Sequence, residues 1–585
     1  MNKICFFLLL IIISLSCKKE NNTEKPNIVL ILTDDQGWGD LSANGNLSLN
    51  TPNIDRIAEQ GVTFDRFYVC PVCSPTRAEL LTGRYHLRGG VYDVQEGGER
   101  LNIDETTIGD IFKNAGYATA AYGKWHNGTQ APYHPNCRGF DDFYGFCSGH
   151  WGNYFSPMLE HNGEIVKGNG FIIDDLTDHG LQFIEQNKDK PFFLYLPYNT
   201  PHAPMQVPDK WWNKFENADI TQFGTDSAKE NIQHTKASLA MCENIDWNVG
   251  RVISKLEELG LEENTIVLYL SDNGPNGNRW NGGMKGIKGS TDEGGVRSPL
   301  FIQWKNKLPK GKTIAEISGA IDILPTLVEL AEIENISAKP FDGLSLKPLL
   351  ASKNKEWPDR YIFSYWNNKS SLRNQKFQLD NLNRLFDMEN DPEQTSNVSD
   401  KHPAVTAEMK QRKQALESQL KKRIDFENKR PFTVGGDRLQ NTLLPARDAI
   451  VSGNIVRSNI WPNCSFYTNW ININDKITWQ IEILTEGDYD VELYYTCPAG
   501  DVGSKLSLKF KENEVVGMIT EANDPPLKGM ENDRVQRTNS YVKDFKPLQM
   551  GKIHLKKGLG VLELKATEIP GEQVMDFRLL VLKRL

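Results

Sequence analysis

Two short apolar runs, each ending in acidic residues, constrain the fold of this chain more than any other feature. The first run spans Pro26 to Leu32, and the second, far along the chain, spans Asn264 to Leu270. Both are rich in β-branched residues and show no alternation with polar ones, which predicts strands buried on both faces of a parallel sheet. We therefore expect an α/β layer in which helices cover the central strands.

Side chains with oxygen ligands follow each run directly. Asp34 and Asp35 come after the first run, and Asp272 and Asn273 come after the second. Open α/β sheets bind ligands at the carboxyl ends of their strands, so these four side chains are expected to meet at one edge. Three carboxylates and an amide oxygen favour a hard cation, Ca²⁺ or Mg²⁺, over zinc. Taken singly, each segment could also be an ordinary turn.

Four further segments carry residue types that can take part in catalysis or bind an anion. Residues 73–77 read C-x-P-x-R. They run into a leucine-containing stretch that predicts a helix over 74–81. The other three segments are Gly123-Lys124-Trp125-His126, Pro201-His202-Ala203-Pro204 and Lys288 to Arg297. A single short motif is only a hypothesis. As an ordered set, however, they resemble the formylglycine-dependent sulfatases of the alkaline-phosphatase superfamily over about residues 27–420.

This resemblance implies both a fold and a cofactor. The fold would be an alkaline-phosphatase-like mixed sheet between helices over residues 26–345, then a small antiparallel subdomain over 346–430. Cys73 would be oxidised after translation to 3-oxoalanine (formylglycine), which requires a maturation enzyme as a partner. One Ca²⁺ per chain would be held by the modified residue and by four oxygen ligands: Asp34, Asp35, Asp272 and Asn273.

The resemblance also assigns roles to the basic residues. Arg77 would secure the hydrated aldehyde, and Lys124 and Lys288 would hold sulfate oxygens as fixed charges. His126 would act as the base that releases sulfate and restores the aldehyde. His202, with Lys288, would protonate the leaving oxygen. The implied activity is that of a sulfuric ester hydrolase.

The sequence changes in character from about residue 431. Ile477 to Ile483, Tyr489 to Tyr495 and Lys505 to Phe510 show two-residue alternation and are separated by glycine-containing turns. This pattern predicts an additional all-β sandwich over residues 431–585. Either an accessory carbohydrate-binding module or a structural lid on the catalytic domain would fit.

The first 17 residues resemble the signal peptide of a bacterial lipoprotein. Phe6 to Ile13 is an apolar stretch too short to span a membrane, and small residues lead from it to Cys17. Lipidation of Cys17 would leave residues 18–25 as a polar tether. Ser14 stands where such signals usually carry leucine, so an ordinary signal peptide is the alternative. We expect an exported protein, in the periplasm or at the outer membrane or cell surface.

Composition agrees with a large secreted enzyme. The chain has 585 residues with 39% apolar and 24% charged content, which is typical of a globular protein of two or three domains. A formal net charge of −9 argues against nucleic-acid partners. Six of the nine cysteines remain once Cys5, Cys17 and Cys73 are set aside, and an exported protein could pair them.

Export, tether and sandwich together resemble the polysaccharide sulfatases of marine bacteria. The expected substrate is a sulfated polysaccharide or oligosaccharide, with the algal glycan ulvan as one candidate. Four residues in loops rich in His, Arg and aromatics could bind it, although each could instead serve packing: His134, Arg138, His150 and Trp151. Two other functions stay open, a phosphodiesterase or phosphonate hydrolase of the same superfamily and a non-catalytic glycan-binding lipoprotein.

Overall fold

A computed structural model describes residues 25–351, 357–422, 424, 426 and 430–585. The predicted signal peptide (1–17), with Cys17, and all of the predicted tether except Lys25 lie outside these residues. Across the described ranges, no helix combines the length and the apolar character needed to cross a membrane.

The secondary structure falls into three consecutive groups. The helices are α1 (Pro52–Gln60), α2 (Cys73–Thr82), α3 (Ile108–Asn114), α4 (Ile172–Gln186), α5 (Asp209–Phe215), α6 (Ile232–Glu258), α7 (Glu293–Val296), α8 (Ile323–Leu330), α9 (Lys347–Leu350) and α10 (Pro403–Lys421). The strands of the first group are β1 (Asn27–Asp34), β2 (Val62–Phe64), β3 (Phe67–Tyr68), β4 (Ala118–Lys124), β5 (Asp142–Phe146), β6 (Met158–His161), β7 (Glu164–Lys167), β8 (Phe192–Pro201), β9 (Thr265–Ser271), β10 (Arg297–Ser298), β11 (Leu300–Trp304), β12 (Lys312–Ile314) and β13 (Ser318–Gly319).

The strands of the second group are β14 (Ile362–Trp366), β15 (Lys369–Arg373), β16 (Phe377–Leu379) and β17 (Leu385–Asp387). The strands of the third are β18 (Phe432–Val434), β19 (Asn441–Pro445), β20 (Ile450–Ser452), β21 (Val456–Arg457), β22 (Tyr467–Thr468), β23 (Lys476–Ile483), β24 (Gly487–Thr496), β25 (Lys505–Phe510), β26 (Asn513–Met518), β27 (Lys546–Leu555), β28 (Gly558–Glu568) and β29 (Asp576–Arg584).

A ten-stranded mixed sheet forms the centre of the N-terminal domain, in the order β12-β2-β11-β9-β1-β8-β4-β5-β6-β7. Strand β1 lies between β8 and β9 and is parallel to both, so the two predicted apolar runs are neighbours. Every residue of β1 and β9 is buried. Val29 and Ile31 belong to the apolar core on one face, whereas Ile28 and Leu30 belong to the core on the other. The predicted α/β fold is confirmed.

The register of the central strands brings their carboxyl ends to one edge. Thr33 of β1 pairs with Ser271 of β9, and Asp34 pairs with Pro201 of β8. Strand β4, parallel to β8 on its other side, ends at Lys124. Because the polar segments begin where these strands stop, the sheet itself gathers them.

Two further layers follow the N-terminal domain, an antiparallel subdomain and a β-sandwich. Strands β14–β17 form an antiparallel sheet that shares an apolar core with α10, in which Met409 is buried. Strands β18–β29 form two six-stranded, largely antiparallel sheets packed around another core, which contains Trp479 and Leu493. Along β23 the side chains alternate between core and surface, as the sequence pattern predicts. The predicted antiparallel subdomain and β-sandwich are confirmed as architecture.

Candidate active site

Acidic side chains converge with Cys73 at the carboxyl edge of the large sheet. Ligand atoms of Asp34, Cys73 and Asp272 lie within 4.8 Å of one another, and those of Asp34, Asp35 and His202 do likewise. The backbone N–H of Asp35 donates to Oδ1 of Asp272 at 3.2 Å, which ties the ends of β1 and β9 together. The sequence-predicted ligands therefore form one cluster.

Three oxygens of this cluster are buried without a partner. Asp34 Oδ1, Asp35 Oδ2 and Asn273 Oδ1 accept no hydrogen bond from any described residue. Burying a carboxylate oxygen away from water without a donor is costly. An oxygen-coordinated divalent cation would satisfy all three, so the residues fit the predicted metal.

Three cations offset the remaining acidic charge. Lys124 Nζ lies 2.6 Å from Asp34 Oδ2, Lys288 Nζ lies 2.5 Å from Asp35 Oδ1, and Arg77 Nη2 lies 2.8 Å from Asp272 Oδ2. Burial by itself would raise the pKa of Asp34, but the charge of Lys124, followed by those of His202 and Arg77, holds it below its usual range. Burial and the neighbouring Asp34 raise the pKa of Asp272 well above its usual value, against the effect of Arg77.

Cys73 is the first residue of α2, and every residue of this helix is buried. Cys73 is 4% exposed and lies at the helix N-terminus, where free backbone N–H groups favour an anion. Arg77, one turn further on, also donates to the carbonyl oxygen of Lys124 at 2.6 Å. This bond fixes the helix against the end of β4, beside the cluster.

The environment of His126 fixes its tautomer. Nε2 lies 2.7 Å from the carbonyl oxygen of Val94, which can only accept, so Nε2 carries the proton. Nδ1 is buried and has no partner within the described chain. Burial, assisted by the charge of Lys124, lowers the pKa of His126 well below its usual value. His126 is therefore a neutral imidazole with a free basic nitrogen.

Glycine at position 149 makes room for this ring. A Cβ atom there would lie 2.3 Å from Nε2 of His126, closer than any real contact. A side chain at this position would require the imidazole or the segment that carries residue 149 to move, which would disturb the contact between His126 and the Val94 carbonyl.

Two more histidines line the same side of the site. His202 Nδ1 lies 2.7 Å from the carbonyl oxygen of Ala203, and its Nε2 lies 3.7 Å from Asp35 Oδ2. The ring of His150 lies 5.4 Å from that of His202, and neither of its nitrogens has a partner in the described structure. His150 thus offers free polar atoms to a ligand.

A cavity of about 450 Å³ opens above the cluster. It is lined by Cys73, His126, His150, His202 and Lys288. Its wall also contains residues that sequence reasoning missed, among them Asn276, Trp366, Trp461, Asn463 and Asn539. The last four come from the two later layers, and nothing in their local sequence signals proximity to Cys73.

The structure does not bring the other three predicted substrate-binding residues into this cavity. His134 is buried, and its Nε2 lies 2.8 Å from Glu160 Oε1. Arg138 is buried and donates to the carbonyl oxygens of Asn102 and Glu105. Trp151 stacks on Phe146 and lines a separate cavity between the N-terminal domain and the sandwich. These contacts lie away from the cavity and do not support a role for the three residues as substrate ligands, which stays a prediction.

The described cysteines are free thiols. None of the seven described cysteines forms a disulfide, and six of them are buried. Burial raises the pKa of Cys147, whose thiol lies 3.1 Å from the carboxylate of Glu160. The pairing that export would permit is therefore absent from the described residues.

Comparison with known proteins identifies this arrangement. The Sulfatase family profile matches residues 26–333, and the profile "N-sulphoglucosamine sulphohydrolase, C-terminal" matches residues 288–423. N-acetylgalactosamine-6-sulfatase of Mus musculus is 32% identical over 397 residues, which cover 62% of this chain and 72% of that protein. Steryl-sulfatase of Mus musculus is 31% identical over 440 residues, covering 58% and 68%.

A solved structure is similar to the same part of the chain. Ps i-CgsB, determined in complex with k-i-k-neocarrahexaose, is 31% identical with a TM-score of 0.62, and the match covers 67% of this chain and 93% of Ps i-CgsB. The β-sandwich beyond residue 430 lies outside both family profiles. The profile match across more than half the chain, together with these relatives, shows that the protein belongs to the sulfatase family and is a sulfuric ester hydrolase.

Proposed function

We propose that this protein removes sulfate from a sulfated polysaccharide or oligosaccharide, with Cys73 matured to formylglycine and Ca²⁺ at the carboxylate cluster. One observation carries the proposal. Cys73 opens a fully buried helix beside Asp34 and Asp272 and lines a cavity of about 450 Å³, and unpartnered oxygens of Asp34, Asp35 and Asn273 lie in the same cluster, where a cation would satisfy them.

Formylglycine and Ca²⁺ would supply the central chemistry. Formylglycine would provide the nucleophile, and Ca²⁺, held by Asp34, Asp35, Asp272 and Asn273, would neutralise charge on the sulfate.

The basic side chains of the site suit the remaining tasks. Lys124 is buried and Lys288 is half-buried, and both would hold sulfate oxygens as fixed charges. Nδ1 of His126 is free to accept a proton, because the Val94 carbonyl occupies the other ring nitrogen. Nδ1 of His202 donates to the Ala203 carbonyl, so Nε2 would protonate the leaving oxygen only when the ring is an imidazolium, a form that Asp35, with Oδ2 at 3.7 Å, would stabilise.

The size and lining of the cavity favour a glycan over a small ester. Two tryptophans and several amides surround the sulfate-binding groups, a combination suited to sugar rings and hydroxyls. Ps i-CgsB was solved with k-i-k-neocarrahexaose, and the mouse relatives are named for N-acetylgalactosamine-6-sulfate and steryl sulfate. Among glycans, ulvan is the candidate suggested by the exported, tethered organisation of the sequence.

Maturation and catalysis can be tested together. Peptide mass analysis of active protein should show residue 73 as an aldehyde, and Cys73→Ala should fold normally but release no sulfate. Sulfate release should be measured from ulvan, carrageenan, fucoidan and glycosaminoglycan fragments, beside an aryl sulfate and matched phosphate esters. Full activity with an unmodified thiol would exclude the formylglycine chemistry, and faster turnover of phosphate esters would favour the phosphoesterase alternative.

We also propose that the protein is exported and anchored by a lipid on Cys17. Small residues before this cysteine and the polar stretch after it support the proposal. Cys17→Ala should move the protein from the membrane fraction to the soluble fraction without changing turnover. A wild-type protein found entirely soluble, with its mature N-terminus elsewhere, would point to the ordinary signal peptide.

A further inference from the structure

The β-sandwich is fixed to the N-terminal domain by buried arginines. Arg447 is 3% exposed; its Nη1 donates to Ser148 Oγ at 2.6 Å, and its Nη2 donates to Thr129 Oγ1 at 3.0 Å. Arg537 donates to the carbonyl oxygen of Gly152. A buried charge that loses its partners is strongly destabilising, so these bonds hold the two domains in one arrangement. The sandwich is therefore not a module that swings on a linker.

This interface reaches the active-site cavity. Arg447 Nη1 also donates to Oδ1 of Asn463, which accepts from Ser148 Oγ at 3.1 Å as well. The thiol of Cys464 lies 3.1 Å from the carbonyl oxygen of His150. The sandwich loop over residues 459–464 is thus bonded to the segment that carries His150.

The same loop presents an exposed tryptophan. Trp461 is 52% exposed and lines the cavity. Its backbone N–H donates to Asn459 Oδ1 at 2.9 Å, and Nδ2 of Asn459 donates to the carbonyl oxygen of Thr538 at 2.9 Å. This second bond braces the loop against the segment that brings Asn539 to the cavity. The indole is held on a supported loop while much of its surface stays free.

A second tryptophan comes from the antiparallel subdomain. Trp366 ends β14 and pairs with Lys369 across a two-residue turn. Both turn residues, Asn367 and Asn368, have positive φ values of 45° and 60°, as such tight hairpins require. Trp366 lines the same cavity as Trp461, so each of the two later layers contributes one indole.

Space for a longer ligand continues past this loop. A separate open groove of about 520 Å³ on the sandwich is lined by Ile450, Arg457 and Ile460, among others. Ile460, 83% exposed, directly precedes Trp461, so one loop borders both the groove and the active-site cavity.

We propose that Trp461, with Trp366, forms a binding subsite for a sugar ring adjoining the sulfated one, and that the glycan continues over the groove beside Ile460. The inference rests on the proposed function and names the part of the glycan that the sandwich binds. Flat indole surfaces bind the apolar faces of sugar rings, and the amides of Asn463 and Asn539 suit hydroxyls. The sandwich is then a wall of the active site, which differs from both a remote binding module and an inert lid.

The test compares Trp461→Ala with Ile473→Ala, an exposed apolar truncation on the sandwich outside the cavity. Both are assayed on sulfated oligosaccharides of increasing length, on the sulfated monosaccharide and on an aryl sulfate. Trp461→Ala should lower kcat/KM about 10- to 100-fold on the longer oligosaccharides. It should change kcat/KM less than about 2-fold on the monosaccharide and the aryl sulfate, whose sulfate chemistry does not need the subsite. Trp461→Phe should recover much of the loss, and Ile473→Ala should match wild type.

A binding measurement supports the kinetic one. Calorimetric titration of the Cys73→Ala protein with the same oligosaccharides should show weaker binding when Trp461→Ala is added. If wild type desulfates a glycan and Trp461→Ala behaves like it at every length, the subsite is excluded while the proposed function stands. If wild type releases sulfate only from the aryl ester, the glycan function fails and the subsite fails with it.

Discussion

Nε2 of His126 is bonded to the carbonyl oxygen of Val94 at 2.7 Å, and this single contact leaves Nδ1 as the free basic nitrogen at the site. His126→Ala should therefore lower kcat about 10²- to 10⁴-fold on glycan and aryl sulfates alike, since a general base serves the chemistry of both. His554→Ala, at a half-exposed histidine of the sandwich, is the matched control and should leave kcat unchanged. A large effect on one substrate class alone would argue for a binding role.

The unpartnered oxygens of Asp34 and Asn273 predict a metal-dependent stability. Elemental analysis should find one Ca²⁺ per chain, and chelation should lower Tm, because a ligand present at 1,000 times its Kd stabilises the folded state by about 4 kcal/mol. Asp34→Asn should reduce both the calcium content and the Tm shift, whereas Asp488→Asn, at an exposed carboxylate of the sandwich, should not. Stoichiometric zinc in place of calcium would contradict the assignment.

His150 and Trp151 are adjacent in sequence but have different surroundings, so they form a matched pair. His150 lines the cavity with two free nitrogens, and Trp151 packs on Phe146 away from it. His150→Ala should raise KM for a glycan substrate about 10-fold or more, because it removes polar contacts to the ligand. Trp151→Phe, which keeps the stacked ring, should leave KM within about 2-fold. Equal effects from both variants would show that His150 acts through packing.

Much of the site could be predicted because most of its residues directly follow the carboxyl ends of buried strands. The residues after β1, β4, β8 and β9 are adjacent in the fold for the same reason that they follow apolar runs in the sequence, and the register of the sheet brings them together. The sequence could not show that His134 and Arg138 lie outside the cavity, because a histidine or an arginine in a polar loop gives no sign of whether a neighbouring carboxylate or carbonyl already engages it. Trp366 and Trp461 were missed because they reach the cavity only through the packing of three layers.

Glu79, on the same helix as Cys73, predicts a pH-dependent stability. Burial raises its pKa to about 8 from an ordinary 4.5, and its Oε1 accepts from the backbone N–H of His86 at 3.2 Å. Between these two pH values the unfolded chain loses the proton and the folded chain keeps it. The contribution of this group to stability is therefore complete below about pH 4.5 and is lost as the pH rises through 8.

Glu79→Gln should remove this dependence while keeping an acceptor for His86. The Tm of the variant relative to wild type should increase by ~2 °C or more between pH 5 and pH 8. Thermal unfolding at both pH values measures the difference. If the difference in Tm between the two proteins stays constant with pH, Glu79 is ionised in the folded state.

The absence of a side chain at Gly149 has a consequence for inferring activity from sequence. Any other residue there would require the ring of His126, or the segment that carries residue 149, to move, even though all the ligands and cations around Cys73 were retained. A homologue could therefore carry the complete set of signature residues and still be catalytically inactive. Whether a relative is a working enzyme should be judged from this position as well as from the motif.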